Sequence, residues 1–278
     1  MEPMKTKTMV VAMNFSELSF NAAEYATAMA KMSQAKLIIF HSFVVSIHAQ
    51  NAHLSANNFQ QEFEHKKQLL EQKARQLEER YAIEIITEIS ALHISDGINY
   101  MIEKYTPDLI VFGMTEKTLE QDLMGNITTS VIRDIRIPVM AVPLKAKFTG
   151  SKRIIFACDV LHELPSEVLK RIKETVETFH GEIEVFSVNE KINELKASNS
   201  PALALNSIDD GFAGIKYYYK NVRSKAIIKE IEKEIKEYNA DLLIMVPKKY
   251  GFWESVVHRS KTRIMASGLD IPLLSIPL

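Results

Sequence analysis

The sequence predicts an α/β protein made of two tandem domains, each a parallel sheet with helices on both faces. Three observations predict it. Short apolar runs alternate with longer helical patterns along the whole chain, and alternating strands and helices need crossover connections, hence parallel pairing. The order of elements then restarts near residue 150. Landmarks also recur: Asp108-Leu109-Ile110-Val111-Phe112-Gly113 is answered by Asp241-Leu242-Leu243-Ile244-Met245-Val246, and Ile137-Pro138-Val139 by Ile271-Pro272-Leu273. From Asp to Pro the spacing is 30 residues in the first half (108 to 138) and 31 in the second (241 to 272). A period of roughly 130 residues is too long for a solenoid repeat and marks a duplicated domain.

In order, Thr8 to Met13 reads as a buried strand, being short, continuous and apolar. Ser16 is placed to cap a helix from about 17 to 32, with Glu17 at the positive end of its dipole and Ala22, Ala23, Ala26, Met29 and Ala30 on one face. Lys36 to Phe43 is a second strand. A polar stretch leads into a charged helix from about Phe59 to Tyr81, with Leu69, Leu70 and Leu77 toward the sheet. Ile83 to Ile89 is a strand and Ser95 to Tyr105 a helix. Asp108 to Gly113 is the fourth strand, a helix follows from about Asn126 to Ile135, and Pro138 to Pro143 closes the unit. The second half reads likewise: strand Lys152 to Cys158, helix Pro165 to Phe179, strands Glu182 to Val188 and Ile215 to Val222. A helix from Ser224 to Tyr238 follows, amphipathic through Ile227, Ile228, Ile231 and Ile235, and then strands at Asp241 to Val246 and Ile271 to Pro277. Leu144 to Ser151 is the linker, giving domains 1–147 and 148–278.

Composition narrows the function. Among 278 residues, 34 basic side chains meet 35 acidic ones, which leaves no general field for nucleic acid or an anionic membrane. The single cysteine, Cys158, rules out an intramolecular disulfide framework and a Cys-cluster zinc site. No apolar run approaches the ~18 residues of a membrane span, and none follows the charges of the first residues as in a signal peptide. A cytoplasmic location is expected.

The opening Val11-Ala12-Met13-Asn14-Phe15-Ser16-Glu17, together with Asp108 to Gly113 leading to Gly125 and an Ile-Pro-Val strand, resembles the universal stress protein family. The resemblance extends over both halves. It implies Rossmann-like domains of the adenine nucleotide alpha hydrolase-like type, each with five parallel strands in the order 3-2-1-4-5. It also implies contact through the fifth strands, formed between the two halves of one chain or in a homodimer. Many members bind ATP through Gly-x2-Gly-x9-Gly-Ser/Thr after strand four, with an Asp at the end of strand one near the ribose. Glycines let backbone N–H groups approach phosphates, and the next helix start adds its dipole. The resemblance thus implies a first-half site for ATP with Mg²⁺ at Asn14, Phe43, Gly113, Met114, Gly125, Asn126, Ile127 and Thr128.

The chain departs from that pattern. The second glycine position holds Glu116, Gly125 comes one residue early, Asn126 replaces the Ser/Thr, and Asn14 replaces the Asp. The second half keeps the acid as Asp159, but its loop opens Val246-Pro247-Lys248-Lys249. Proline removes a donor, and valine lacks glycine's backbone freedom. Neither half keeps a complete site. Asp159, Lys248, Arg259, Ser260 and Thr262 form an alternative anion site held by charge, weighed against a solvated loop. His41, His48, His53 and His65 match no metal-ligand spacing, and no metal site is expected. Phe252 and Trp253 read equally as a partner contact or as core, and Cys158 as structural. With no nucleophile elbow, Walker loop or His-Glu-x-x-His, no catalytic residue is assigned. The expected function is a regulatory or protective binding module with an adenine nucleotide in its first domain. The alternatives are a nucleotide-free interaction module with unidentified protein partners and, behind it, a slow ATPase.

Overall fold

A computed structural model describes residues 6–44, 56–114, 135–158, 160, 163–189, 200–246 and 269–278. The chain divides into two compact units, Met1–Gly113 and Met114–Leu278.

Unit 1 runs β1 (Thr8–Met13), α1 (Glu17–Ser33), β2 (Lys36–Ser42), α2 (Ala56–Tyr81), β3 (Ile85–Ser90), α3 (Ile94–Tyr105) and β4 (Leu109–Met114), of which only Met114 is counted with unit 2. Its strands lie in the order β3-β2-β1-β4, all parallel. Strands covered on both faces must be apolar on both, and Val10, Val11, Leu37, Ile38, Ile39, Phe40, Ile110 and Val111 are fully buried. Each such side chain contributes about 1.5–3 kcal/mol on leaving water. Small residues let α1 lie close to the sheet: Ala22, Ala23, Ala26 and Ala30 are buried with Met29. Ser16 caps α1 as expected, its Oγ accepting the Ser19 N–H at 3.3 Å. Helix α2 begins three residues before the predicted Phe59, and its buried stripe is Leu70, Ala74 and Leu77, with Leu69 only half-buried. The i, i+4, i+7 spacing of that stripe fits 3.6 residues per turn better than the adjacent pair Leu69 and Leu70. Of the helix predicted over 126–135, Ile135 is non-helical and the rest lies outside the described residues.

Unit 2 runs β5 (Val139–Pro143), β6 (Arg153–Ala157), α4 (Ser166–Phe179), β7 (Glu182–Val188), α5 (Ser200–Gly211), β8 (Lys216–Val222), α6 (Ile227–Glu237), β9 (Leu242–Met245) and β10 (Leu273–Ser275). The parallel order β8-β7-β6-β9-β10 is 3-2-1-4-5 for the second half of the chain. Strand β5, the fifth of the first half, pairs antiparallel with β10 through Leu273↔Ala141, Leu274↔Met140 and Ser275↔Val139. Helix α5 falls where the sequence reading places no element. Its signals are Pro201 in the first turn and the i, i+4 pair Ile208 and Phe212, both buried, with Phe212 edge-on to Phe156 at 6.2 Å. Helix α6 starts three residues after the predicted Ser224.

The landmark aspartates are fasteners at the amino ends of the strands. Asp108 Oδ2 accepts the Thr8 N–H at 2.8 Å while the Asp108 N–H donates to the Thr8 carbonyl at 2.8 Å. Asp241 Oδ2 accepts from Lys152 at 3.0 Å and Arg153 at 2.9 Å, and its own N–H donates to the Arg153 carbonyl. Each carboxylate ties strand four of its half to strand one, which explains why Asp opens both runs. Among the described residues no helix is long and apolar enough to cross a membrane.

Candidate functional site

In unit 1 the strand order places β1 between β2 and β4, which are reached by crossovers running in opposite directions. The carboxyl edge at such a reversal opens into a crevice. The pairing shows where it opens: β1 stays with β2 to Met13↔His41, but its pairs with β4 end at Val11↔Val111.

Asn14 stands exposed at the β1 tip. Its Oδ1 accepts the Ser16 N–H at 3.1 Å and the Ser16 hydroxyl at 2.6 Å, an Asx turn that steers the chain into α1. Both lone pairs of that oxygen are therefore engaged inside the turn. Phe15, between them, adopts φ +63°. This left-handed conformation is strained for a bulky residue and costs on the order of 1–3 kcal/mol. Packing holds it: the ring lies 4.6 Å from His41, 6.5 Å from Phe20 and under the Lys66 ammonium at 5.6 Å.

His41 is buried at the tip of β2. Its Nδ1 lies 2.7 Å from the Met13 carbonyl, which can only accept, so Nδ1 carries the proton. Burial pulls its pKa below the usual histidine value, and the nearby Lys66 adds to this while the Met13 carbonyl opposes it. Phe43 follows at the end of the same strand, buried, with its N–H on the Ser90 carbonyl at 2.8 Å. Its ring meets Phe59 at 5.4 Å and Phe63 at 5.8 Å, both from α2. The edge is thus walled by an aromatic cluster with one buried neutral imidazole. Only Phe43 of that wall is among the sequence-predicted site residues. Phe59 and Phe63 were legible as an i, i+4 aromatic pair at the head of α2, whereas the left-handed Phe15 had no sequence signal.

Gly113 lies at the β4 tip against α1. A Cβ on it would stand 2.7 Å from the carbonyl carbon and oxygen of Leu18, so only glycine fits this close approach. Met114 is buried in the apolar cluster of unit 2 with Ala141, Met245 and Leu273. The structure therefore brings Asn14, Phe43 and Gly113 to one edge of unit 1 and places the Met114 side chain in a core. Gly125, Asn126, Ile127 and Thr128 lie outside the described residues, as do Glu116, Asp159, Lys248, Arg259, Ser260, Thr262, Phe252 and Trp253.

In unit 2 the described part of the carboxyl edge holds Cys158, half-buried, whose N–H donates to the Phe186 carbonyl at 3.0 Å. A separate open depression of about 650 Å³ lies between α4 and α5, lined by Glu163, Leu164, Ser166, Ser207 and Asp210. Of the four histidines with a metal reading, His65 is exposed on α2 beside Glu62, and His48 and His53 lie outside the described residues. No group of three or more His, Cys, Asp or Glu is placed to hold a metal among the described residues.

The comparisons with known proteins agree with this architecture. A universal stress protein from Archaeoglobus fulgidus DSM 4304 superposes with a TM-score of 0.74 at 16% identity, over 98% of this chain and 99% of that one. A solved structure from Pseudomonas aeruginosa UCBPP-PA14 gives 0.61 at 12% identity, covering 98% and 94%. A functionally unknown protein from Pseudomonas aeruginosa PAO1 gives 0.57 at 12%, covering 98% and 93%. At these identities the likeness is one of fold. Among curated proteins none matches the chain. The family model described as the universal stress protein family matches residues 5–143, half of the sequence. The chain belongs to the universal stress protein family.

Proposed function

We propose that this chain is a non-enzymatic regulatory binding module of the cytoplasm, and that it takes an adenine nucleotide at the carboxyl edge of unit 1. The observation that carries the reading is the parting of β1 and β4 beyond Val11 and Val111, at the point where α/β sheets hold their ligands. Asn14 would meet the ligand at the β1 tip and the Phe43 region would flank it. Gly125, Asn126, Ile127 and Thr128 would offer backbone donors to its phosphates, with Mg²⁺ offsetting Glu116. The bound ligand would alter the surface that partner proteins meet.

Two observations favour the second reading, a nucleotide-free interaction module. Asn14 Oδ1 is engaged by Ser16. The glycine at 113 is explained by Leu18 without any phosphate. One experiment separates the readings. The protein is purified without added nucleotide and denatured, and the supernatant is chromatographed. A near-stoichiometric adenine nucleotide, with a raised melting temperature in Mg-ATP and no phosphate release, is the expected result. An empty supernatant and an unmoved melting temperature would transfer the case to the interaction module.

A further inference from the structure

Two glutamates lie beneath α6 where apolar side chains are the rule. Glu184, in mid-β7, is 7% exposed, and Glu234, on α6, is 4% exposed. Strand alternation puts Glu184 on the face of Phe186, and helical spacing puts Glu234 in the stripe of Ile227 and Ile231. Phe186, Ile231 and Ile235 belong to the apolar cluster of unit 2. Lys220 of β8 stands opposite Phe186, two residues along β7 from Glu184 and on the same face, and it binds Glu234, which brings both carboxyls to one place beneath α6. One oxygen of Glu184, Oε1, is buried with no hydrogen-bond partner. Lys220 of β8 forms an ion pair with Glu234 and reaches Glu237 at 3.4 Å.

The other polar groups facing this place are engaged elsewhere. Glu182 on β7 pairs with Lys216 and accepts from Tyr218 at 3.3 Å and Tyr238 at 3.4 Å. From β6, Ile155 stands opposite Glu184, and Arg153 donates to the Tyr238 carbonyl at 3.3 Å. Two ionised carboxylates can only accept, so a hydrogen bond between them needs a proton on one. Ionising both would leave two buried anions, with Lys220 paired to Glu234 and an oxygen of Glu184 that no donor reaches.

We propose that Glu184 and Glu234 share one proton, and that this proton latches α6 onto the sheet of unit 2, so that its loss on raising the pH loosens α6 from β7. Burial first, and then the neighbouring Glu234, push the Glu184 carboxyl up to about 7 from its ordinary 4.5. The sign follows from linkage. The folded state holds the proton more tightly than the unfolded one, so the stabilisation is full below the ordinary carboxylate range and is lost as the pH rises through about 7.

Hydrogen exchange of the α6 amides in the full chain, corrected for the intrinsic pH dependence of exchange, tests the latch. The opening equilibrium of Ile227–Glu237 should rise about thirtyfold from pH 5.5 to 8, and Glu184→Gln, which keeps the shape of the protonated form, should abolish the rise. A flat wild-type profile, or a rise that survives in Glu184→Gln, would overturn the proposal. Should the variant fail to fold, the side-chain carboxyl carbon of Glu184 can be titrated by NMR in the wild type. Titration near neutrality supports the latch, and titration in the ordinary carboxylate range overturns it.

Discussion

The two halves make the turn from their first strand into their first helix in different ways. In unit 1 only residues 14–16 separate β1 from α1, whereas in unit 2 residues 158–165 separate β6 from α4. The short turn drives the first turn of α1 against the β4 tip, and residue 113 must then be glycine to clear Leu18. At the matching position after β9, Val246 keeps a full side chain and buries it. The glycine often read as the opening of a phosphate loop is here fixed first by the length of a turn on another strand. A second contrast sits one strand away. His41 is registered against Met13 at the β2 tip, and the corresponding place on β7 holds Ser187, fully buried. At this matched position, then, unit 1 carries a titratable ring and unit 2 a hydroxyl.

Exchanging the two fourth-strand residues would sharpen this comparison most. Gly113→Val should cost about 3 kcal/mol through overpacking against the Leu18 backbone, read as a lower denaturation midpoint of unit 1. Val246→Gly should cost less, because it removes side-chain packing without forcing backbone apart. Equal tolerance at both positions would break the explanation. The fasteners come next. Asp108→Ala and Asp241→Ala should each lose about 1–3 kcal/mol by leaving strand-start N–H groups without their charged acceptor. Each loss would be read as a lower denaturation midpoint, Asp241→Ala releasing the N–H groups of Lys152 and Arg153 and Asp108→Ala that of Thr8. The smallest effect concerns pH. His41 resists protonation in the folded state, so unit 1 should lose stability as the pH falls through the ordinary histidine range, and His41→Gln should remove that slope. Thermal melts between pH 7.5 and 5.5 would decide it. A slope unchanged in the variant would show that some other group is responsible.

Much of the fold was legible because parallel strands buried on both faces must be written as unbroken apolar runs, and because the Asp and Pro landmarks recur at nearly equal spacing. Ser16 was legible as a cap for the same local reason that makes it one, a short side chain just before the helical stripe. Helix α5 was not, since its apolar spacing of Ile208 and Phe212 is brief and its first residues resemble a loop. The buried glutamates were half-legible: periodicity places Glu184 and Glu234 in apolar stripes, but nothing local shows that the two stripes face each other. Phe15 was illegible for a related reason. Beside an asparagine that tolerates left-handed geometry more cheaply, only packing against His41 and Lys66 determines that the phenylalanine adopts it.

The antiparallel pairing of β5 with β10 changes how this architecture responds to dilution. A lone five-stranded sheet would present the backbone of its fifth strand as an open edge, a template for promiscuous association. Here that edge is closed by a strand of the same polypeptide, at an effective concentration fixed by the chain rather than by abundance in the cell. The junction therefore persists however scarce the protein becomes. Its two strands also need not be identical, because no symmetry axis obliges them to match. Each half is then free to drift on its own, which is the condition under which one could keep a tight glycine turn and the other an acid.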